Sequence, residues 1–548
     1  MKSIPFLLKK IEWQRFFFIL DRVHLIYRLF ANAFMRYCKY SPWGDKRQSN
    51  QNGRITMSKM KKRLAVTLGL TLAASLALSA CGTKETGDAK GSQPANKPVE
   101  LIWYTIGTPQ KDVDRVMAEV SKYTSEKIGV TVKMNMIDWG DYSQKMQVLT
   151  ASGADMDIMF TSSWAFDYVQ NARKGAFKPI DDLLPKYGQG IVKELDPVFL
   201  SGSKVDGHNY GVPANKELPA QDVWRFNKNL LDKYNLKTDN VNSLESLEPL
   251  LKTIKEKEPN VYPLAADKTF MPYVPYDYII EKMPMAVKLD NPDYKVVNIL
   301  DTPEMRQALK TMNSYYKAGY IPTEAATLGS LSDVQVTGKW FSDKATNQPL
   351  ADILWSSSYG YPVVSKPASS PTVYNWSVMG SMQAISANSK NPEKAMEFLN
   401  LLNTDPVLRN MVDSGIEGVH YKKLDNNRME NLPDSKNYDM PTFSLGNVLI
   451  TYLDKNDPAD KWDQFKKFNA AGVPSPILGF NFDPTKVATE IAAVQNVKEE
   501  FWSSLMTGTV DPDKYIPLAD QKFKAAGLDK IMAEVQSQLD AWRAANKK

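Results

Sequence analysis

The stretch that decides the fold is VELIWYTIGTPQKDVDRVMAEVSKYTSEKIGVTVKMNMIDWGDYSQKMQVLTASGADMDIMF, residues 99–160. Apolar and polar residues alternate over 99–103 and again over 130–136, which is the period of a half-buried strand. Between these segments, apolar residues recur at helical spacing over 113–123, and a short apolar run follows at 158–160. Strands separated by helices of this length predict an open, parallel α/β sheet.

Helical patterns dominate the later part of the chain. Thr302-Pro303, Asn391-Pro392 and Asp483-Pro484 each place a capping residue before a proline, which is a strong signal for the start of a helix. The helix after Pro484 carries its apolar residues on one stripe, and a final pair of helices turns at Gly527. We therefore expect a helical C-terminal region.

A targeting signal precedes this pattern. Basic residues at 59–63 are followed by an uncharged run of 17 residues, 64–80, and then by Cys81. A basic segment, an apolar segment and small residues before a cleavage site make up a secretory signal peptide. With a cysteine after Leu78-Ser79-Ala80, the segment resembles the bacterial lipobox, which implies cleavage before Cys81 and attachment of a diacylglyceryl group to its sulfur. The alternative is a retained transmembrane helix, for which the run is at the short end of the usual range.

Residues 1–56 are unusual because a signal peptide normally begins its chain. We interpret them as an over-extended gene prediction, with translation starting at Met57 or Met60 and residues 57–80 forming the signal peptide. The alternative is an amphipathic segment that lies on the membrane surface. Residues 81–97 are small, polar and unpatterned, so they predict a flexible tether between a lipid anchor and the fold.

Composition excludes several classes of protein. Residues 1–80 carry 15 Lys and Arg but 3 Asp and Glu, so the formal charge of +6 for the whole chain becomes about −6 for residues 81–548. This balance gives no basic surface for nucleic acid. Only Cys38 and Cys81 occur, so the exported part has no thiol pair for a disulfide. With two histidines after Cys81 and no Cys-x-x-Cys, we expect no transition-metal site and no cofactor, and whether a structural calcium ion is bound does not follow from the sequence.

Several short motifs follow one another in a characteristic order. They are ASGADMDI (151–158), DGHNYGVP (206–213) and MQAISANSKNPEKAMEFL (382–399). Their order and spacing resemble those of the extracellular solute-binding proteins of bacterial ABC transporters. GIEGVHY (415–421) and the part from 479 to 548 resemble a lipoprotein subgroup of Gram-positive soil bacteria that is associated with oligosaccharide uptake.

This resemblance implies an α/β fold of two lobes, a type II-like periplasmic-binding-protein fold with hinge crossovers and a helical C-terminal region. The expected ranges are 98–218 and 379–445 for the first lobe, and 219–378 and 446–548 for the second. The chain would cross between lobes near 217–225, 376–384 and 442–461.

The resemblance also implies a function. The protein would be a monomer that is lipid-anchored to the outer face of the cell membrane, closes on an oligosaccharide and delivers it to the permease subunits of an ABC transporter. The identity, length and charge of the sugar do not follow from the sequence.

Sugar recognition needs flat apolar faces for the pyranose ring and a few placed polar groups for its hydroxyls. The aromatic candidates lie after strands or beside expected crossings: Trp139, Trp164, Trp224, Trp355, Tyr359 and Trp376. Gly, Ser and Asp residues around Trp139, Trp164 and Trp355 indicate loops and favour these three. The polar candidates are Asn215, Lys216 and Glu417. For each aromatic residue the alternative is core packing, and for each polar residue a solvated surface.

Two other classes of function stay open at this point. A secreted glycosidase or lyase would need two carboxyl groups across the scissile bond. Asp155 and Asp157 are close in sequence, but turn and capping roles explain them better, and no Gly-x-Ser-x-Gly motif follows Cys81. We therefore predict no catalytic residue. A lipoprotein that binds peptide or acts as an adhesin is the third class.

We expect that Cys81→Ala abolishes attachment to the membrane, because the thiol is the acceptor of the lipid. Membrane fractionation and intact-mass measurement of cells that express the wild type and the variant would test this. Normal membrane retention of the variant would contradict the lipobox interpretation.

Overall fold

The computed structural model describes residues 97–280, 282–290 and 293–546, which all belong to one compact unit. Residues 1–56, the signal peptide, Cys81 and nearly all of the tether lie outside the described residues. The expectations for those segments therefore stay predictions.

A mixed five-stranded sheet forms the centre of lobe 1. Its strands are β1 (Val99–Ile106), β2 (Val130–Ile137), β3 (Ile158–Thr161), β4 (Gly211–Pro213) and β13 (Met382–Ile385), in the order β2-β1-β3-β13-β4. β1 is parallel to β2, with Val99 opposite Val130, and parallel to β3. β13 is antiparallel to β3 and to β4. The predicted parallel α/β sheet is confirmed for β1, β2 and β3, whereas β13, which comes from far downstream, is antiparallel to its neighbours and makes the sheet mixed.

Amphipathic helices bury their apolar faces against this sheet. They are α1 (Val113–Ile128), α2 (Tyr142–Ala151), α3 (Tyr168–Arg173), α4 (Leu184–Tyr187), α5 (Gln189–Glu194), α6 (Pro197–Gly202), α13 (Pro392–Thr404) and α14 (Pro406–Ser414). Gly129 ends α1 in the left-handed conformation, with φ of 67°, and its N–H closes the last turn onto Ser125. Trp103 of β1 is fully buried and meets Phe398 of α13 edge-on at 5.7 Å. Strands and helices thus share one apolar core.

Lobe 2 contains two further sheets. One has β5 (Asp222–Asn227), β6 (Tyr262–Leu264), β10 (Trp340–Thr346) and β11 (Val363–Pro367), in the order β11-β5-β10-β6. The other has β7 (Tyr276–Tyr278), β8 (Met285–Lys288) and β9 (Val296–Asn298) in sequential order. The accompanying helices are α7 (Lys228–Lys233), α8 (Glu248–Lys257), α9 (Pro303–Lys317), α10 (Ser332–Val336) and α11 (Ala351–Tyr359). As predicted, α9 starts at Pro303, and Thr302 caps it by accepting the N–H of Met305.

The C-terminal region is helical, as predicted. It contains α16 (Ala488–Met506), α17 (Pro512–Ala525) and α18 (Leu528–Asn546). Val494, Trp502 and Ile531 from these helices are buried in the same core as Met312 of α9. Because the helices share their core with lobe 2, they are part of that lobe and not a separate module.

Three segments pass side by side between the lobes. Ala220 pairs with Thr372 as an antiparallel bridge. β12 (Thr372–Val373) pairs in parallel with β17 (Val473–Pro474), and α12 (Asn375–Val378) follows β12. These pairings bring the three connections together at the boundary between the lobes.

The third connection comes later in the chain than the expected range 442–461. The intervening elements are β14 (Tyr421–Leu424), β15 (Arg428–Asn431), β16 (Leu453–Asp454) and α15 (Lys461–Ala470). β16 pairs with β15. The side chain of Asn410 on α14 accepts the N–H of Tyr452 and donates to the carbonyl of Ile450. The chain therefore stays on lobe 1 until it reaches β17. This non-local pairing leaves no local pattern in the sequence.

Within the described ranges, no helix is both long enough and apolar enough to cross a membrane.

Gly508, between α16 and α17, offers a test of how the C-terminal helices pack. Its φ is +73°, and a Cβ there would lie 2.3 Å from the backbone carbonyl carbon of Met312. Gly175 also has φ of +73° but has no atom within 4 Å of such a Cβ. Both alanine variants carry the strain of a left-handed residue, about 1–2 kcal/mol. We expect Gly508→Ala to lower the free energy of unfolding by about 1–3 kcal/mol more than Gly175→Ala does, because only a Cβ at position 508 would collide with backbone atoms. Urea unfolding of both variants measures the difference, and equal losses would refute the close approach.

Candidate functional site

A cavity of about 920 Å³ lies where the two lobes and their connections meet. Lobe 1 contributes Trp164, Asp167 and Arg173 to its wall, and lobe 2 contributes residues of β5, β7 and β10 with the loops beside them. The connecting segments add Tyr374, Trp376, Phe480 and Phe482. The volume is near the upper end of the range of about 300–1,000 Å³ that is usual for small-molecule sites. The cavity therefore has room for a ligand larger than a single sugar ring.

Three aromatic side chains of lobe 1 stack together beside this cavity, and one of them, Trp164, lines it. Trp139 stacks on Trp164, with ring centroids 6.2 Å apart, and on Phe443 at the same distance. The Trp164 Nε1 donates to the carbonyl of Gly380 at 2.8 Å, which fixes the orientation of the indole. Trp164 is 50% exposed and Trp139 42% exposed. We call Trp139, Trp164 and Phe443 the aromatic ledge; such a surface suits a ligand with an apolar face.

A second aromatic pair lies on the connection after β12. Tyr374 and Trp376 stack with their centroids 5.4 Å apart and their planes at 11°. Both line the cavity, and Trp376 is 46% exposed. Two of the aromatic residues selected from the sequence, Trp164 and Trp376, are thus brought to the cavity wall, and Trp139 stacks on Trp164.

Trp355 and Tyr359 lie behind the wall instead, and Trp355 is on the helix α11 and not in the loop that its neighbours in the sequence indicated. The Arg225 guanidinium is 4.7 Å from the ring centroid of Trp355, and its Nη1 donates to the Tyr359 hydroxyl at 3.0 Å. The same guanidinium donates twice to Asp343, from Nε at 2.8 Å and from Nη2 at 2.6 Å. Gln335 adds a further donor to Asp343. Trp355 and Tyr359 therefore hold a buried, bidentate ion pair whose two members line the cavity.

The remaining candidates from the sequence lie away from the cavity. Trp224 is 1% exposed and packs in the core of lobe 2, because its position on β5 faces inward. Asn215 is buried and donates to the carbonyl of Glu194, and Lys216 pairs with Glu217. Glu417 is exposed, in a turn that pairs with Tyr421. None of these four lines the cavity, so we do not retain them as ligand contacts.

Polar residues that the sequence analysis missed line the cavity on the lobe 2 side. Asp277 is 4% exposed and accepts a hydrogen bond from the Ser475 hydroxyl at 2.5 Å. Burial raises the pKa of its carboxyl to about 7, although the Ser475 hydrogen bond lowers it. Lys344 donates to Asp222 at 2.8 Å in the same wall. In the sequence, this wall is marked only by the run YVPYDY (273–278), which combines aromatic residues with an acidic one.

The described part of the chain contains no group of three or more His, Cys, Asp or Glu side chains that could hold a metal ion.

The fold and the interlobe cavity define a solute-binding protein. Residues 118–416 match the model of the bacterial extracellular solute-binding protein family, and the chain belongs to that family. Residues 476–544 match a second model, a domain of unknown function called DUF3502. The family binds solutes and is not enzymatic, so the expectation of a binding protein without catalytic activity is confirmed.

Relatives from Streptococcus pneumoniae give the particular context. A carbohydrate ABC transporter substrate-binding protein of serotype 4 is 36% identical, and the match covers 87% of this chain and 98% of the relative. The crystal structure of the N-glycan transport solute-binding protein NgtS from the same species, also 36% identical, matches with a TM-score of 0.77 and covers 82% of this chain and 100% of that one. The structure of NgtS in complex with Man5GlcNAc gives a TM-score of 0.65, covering 82% and 99%.

Asp277 gives the site a pH-dependent effect on stability. Since its pKa is raised in the folded state, the folded protein holds this proton between about pH 4 and pH 7 and the unfolded chain does not. The contribution of Asp277 to stability is therefore present at low pH and is lost as the pH rises through about 7. We expect Asp277→Asn to be more stable than the wild type at pH 8, by up to about 4 kcal/mol, and to lose this advantage by pH 4.

Urea unfolding of both proteins from pH 4 to pH 8 measures this effect. Asp267→Asn, in the same wall, is the control for placing an amide beside the cavity. Parallel stability curves for Asp277→Asn and the wild type would contradict the raised pKa.

Proposed function

We propose that this protein captures a neutral oligosaccharide of the N-glycan type in the interlobe cavity and delivers it to the permease of an ABC transporter. The observation that carries the proposal is the pairing of the aromatic ledge with the Tyr374–Trp376 stack around one cavity. Flat, partly exposed aromatic faces bind the C–H faces of sugar rings, while polar groups in the wall are available to the hydroxyls.

The charges of the wall favour a neutral sugar. Three basic side chains of the wall are paired with carboxylates: Arg173 with Asp206, Arg225 with Asp343 and Lys344 with Asp222. Among the described lining residues, five aspartates face four basic residues. A wall with these internal pairs has little positive charge left for a uronic acid or a sialic acid. Hydroxyl groups, by contrast, can share the remaining donors and acceptors of the ion pairs.

The relatives support both parts of the proposal. One is named as the substrate-binding protein of a carbohydrate ABC transporter, and NgtS has been crystallised with an N-glycan fragment. The TM-score is 0.77 to the first NgtS crystal structure and 0.65 to the complex with Man5GlcNAc, so the arrangement of this chain differs more from that of the complex. We therefore propose that the present arrangement is the open form and that the lobes close on the ligand.

The proposal extends to where the protein works. Diacylation of Cys81 would anchor it with two acyl chains, which suffices for stable attachment to a membrane. Residues 81–97 would then allow the monomeric binding domain to move above the membrane and meet the permease on the extracytoplasmic side.

Binding to a panel of glycans tests the function. We expect Man5GlcNAc to raise the melting temperature, because a ligand at 100 times its Kd adds about 2.7 kcal/mol of stability. An oligogalacturonate of similar length should have no effect. Stabilisation by the oligogalacturonate alone would refute the neutral ligand, and shortened glycan after overnight incubation would indicate an enzyme.

Two tryptophan variants then locate the site. Trp164→Ala should weaken Man5GlcNAc binding by about thirtyfold, since losing an aromatic contact at a binding hot spot costs about 2 kcal/mol. Trp462→Ala is the matched control, because its indole also donates to a backbone carbonyl, that of Thr451, but does not line the cavity. Calorimetric titration of both variants measures their affinities for Man5GlcNAc. Equal affinities would contradict the proposal that the aromatic ledge binds the glycan.

A further inference from the structure

The match to the domain of unknown function begins at residue 476, before the C-terminal helices. Residues 476–484 connect β17 to the 3₁₀ turn that leads into α16. We call residues 476–484 the C-terminal strap. The strap is bound by polar groups of lobe 1, of the connecting segments and of lobe 2.

Lobe 1 holds the strap through Arg173 at the end of α3. The guanidinium donates from Nη2 to the carbonyl of Asn481 at 2.8 Å and from Nη1 to the carbonyl of Phe482 at 2.9 Å. It also makes a bidentate pair with Asp206, which fixes its plane. In return, the Asn481 side chain donates to the carbonyl of Lys204 at 2.7 Å. The end of the strap is thus bound to two different elements of lobe 1.

The connecting segment after β12 holds the middle of the strap. The Asn375 amide donates to the carbonyls of Ile477, at 3.3 Å, and Phe480, at 2.7 Å. Its oxygen accepts the N–H of Gly479 at 2.7 Å. One side chain thereby satisfies three backbone groups of a segment that has no regular secondary structure of its own.

Lobe 2 binds Asp483, which follows Phe482 in the strap, through the side chain of Gln538 on α18. Its Oε1 accepts the N–H of Asp483 at 2.8 Å, and its Nε2 donates to the carbonyl of Asp483 at 3.0 Å. The carbonyl of Phe482 is therefore bound to lobe 1 and the backbone of the adjacent Asp483 to lobe 2, while the Phe482 side chain packs against the core of lobe 2. A relative rotation of the lobes must change the geometry of one or both of these sets of hydrogen bonds.

Side-chain packing gives the strap the same double attachment. Ile477 and Phe480 are buried in the core of lobe 2, whereas Leu478 packs against the core of lobe 1. The strap also forms part of the cavity wall through Phe480, Asn481, Phe482 and Pro484. A segment that touches both cores and the cavity can couple the angle between the lobes to the shape of the site.

We propose that the strap makes the domain of unknown function part of the binding machinery: it is a hinge that sets the opening of the cavity and forms one of its walls. Arg173 and Gln538 are positioning residues that bind adjacent residues near the C-terminal end of this hinge, Arg173 from lobe 1 and Gln538 from lobe 2. The C-terminal helices serve as the anchor of the strap on lobe 2. The proposal depends on the proposed function only for the choice of the sugar used as a probe.

Distances between spin labels on the two lobes test the hinge without any ligand. The labels are placed at Lys122→Cys on α1 and Lys252→Cys on α8, both exposed, in the full chain carrying Cys38→Ser and Cys81→Ser. Arg173→Met and Gln538→Leu are each expected to broaden the interlobe distance distribution, because each removes the hydrogen bonds that hold the strap to one of the two lobes.

Gln536→Leu is the matched control. Gln536 is also on α18 and, like Gln538, forms two hydrogen bonds with backbone groups. It accepts the N–H of Val296 and donates to the carbonyl of Tyr294. Both partners of Gln536 are in lobe 2, so its loss should lower the melting temperature much as Gln538→Leu does and leave the interlobe distances unchanged. Broadening in all three variants, or in none of them, would overturn the proposal.

Titration with Man5GlcNAc gives the functional readout. An apparent Kd rises in inverse proportion to the fraction of protein in the binding-competent arrangement, so we expect Arg173→Met and Gln538→Leu to weaken binding by about threefold or more. Gln536→Leu should bind like the wild type. Unchanged affinity in the two strap variants would overturn the role of the strap in binding. Absence of binding by the wild type would instead refute the proposed ligand, and the label distances would still decide on the hinge.

Discussion

The structure depends on one non-local pairing, the insertion of β13 between β3 and β4 of lobe 1. The sheet is complete only when the chain returns from lobe 2, more than 150 residues after β4. The Gln383 side chain secures this strand, since it accepts the Trp103 indole N–H at 3.0 Å and donates to the carbonyl of Ser444. The chain leaves lobe 1 after β4 and returns to it at β13, and the end of β4 is paired with the start of β13. The connections between the lobes therefore lie side by side, and the cavity forms beside them.

Aromatic side chains in and behind the cavity wall have two distinct uses. Trp139, Trp164 and Trp376 are partly exposed, and the last two line the cavity. Trp355 and Tyr359 instead use their ring and hydroxyl to support the Arg225–Asp343 pair. A guanidinium that is stacked and doubly hydrogen-bonded loses its rotational freedom, so the wall behind the ligand is rigid and nearly neutral.

The connections between the lobes hold more chemistry than loops usually do. Asp277 of β7 contacts Ser475 of the third connection, and Tyr374 and Trp376 follow the second. The C-terminal strap adds a wall that is bound to both lobes. Any change in the angle between the lobes must therefore alter the wall of the cavity, which physically links ligand binding to the shape of the whole molecule.

The sequence by itself determined the α/β class, the first strands and helices, the helical C-terminal region and the solute-binding family. These features depend on local periodicity, on capping residues and on short motifs, which are readable without knowing what packs against what. The sequence also selected Trp139, Trp164 and Trp376. It ranked Trp355 with the first two and kept Trp224 as a candidate, because local sequence does not show which indoles are covered by residues from elsewhere in the chain. The tertiary structure alone decided which aromatic faces stay open, that Asp277 is buried beside Ser475, and that residues 476–484 join both lobes. Each of these depends on contacts between residues that are far apart in the chain, which no local pattern records.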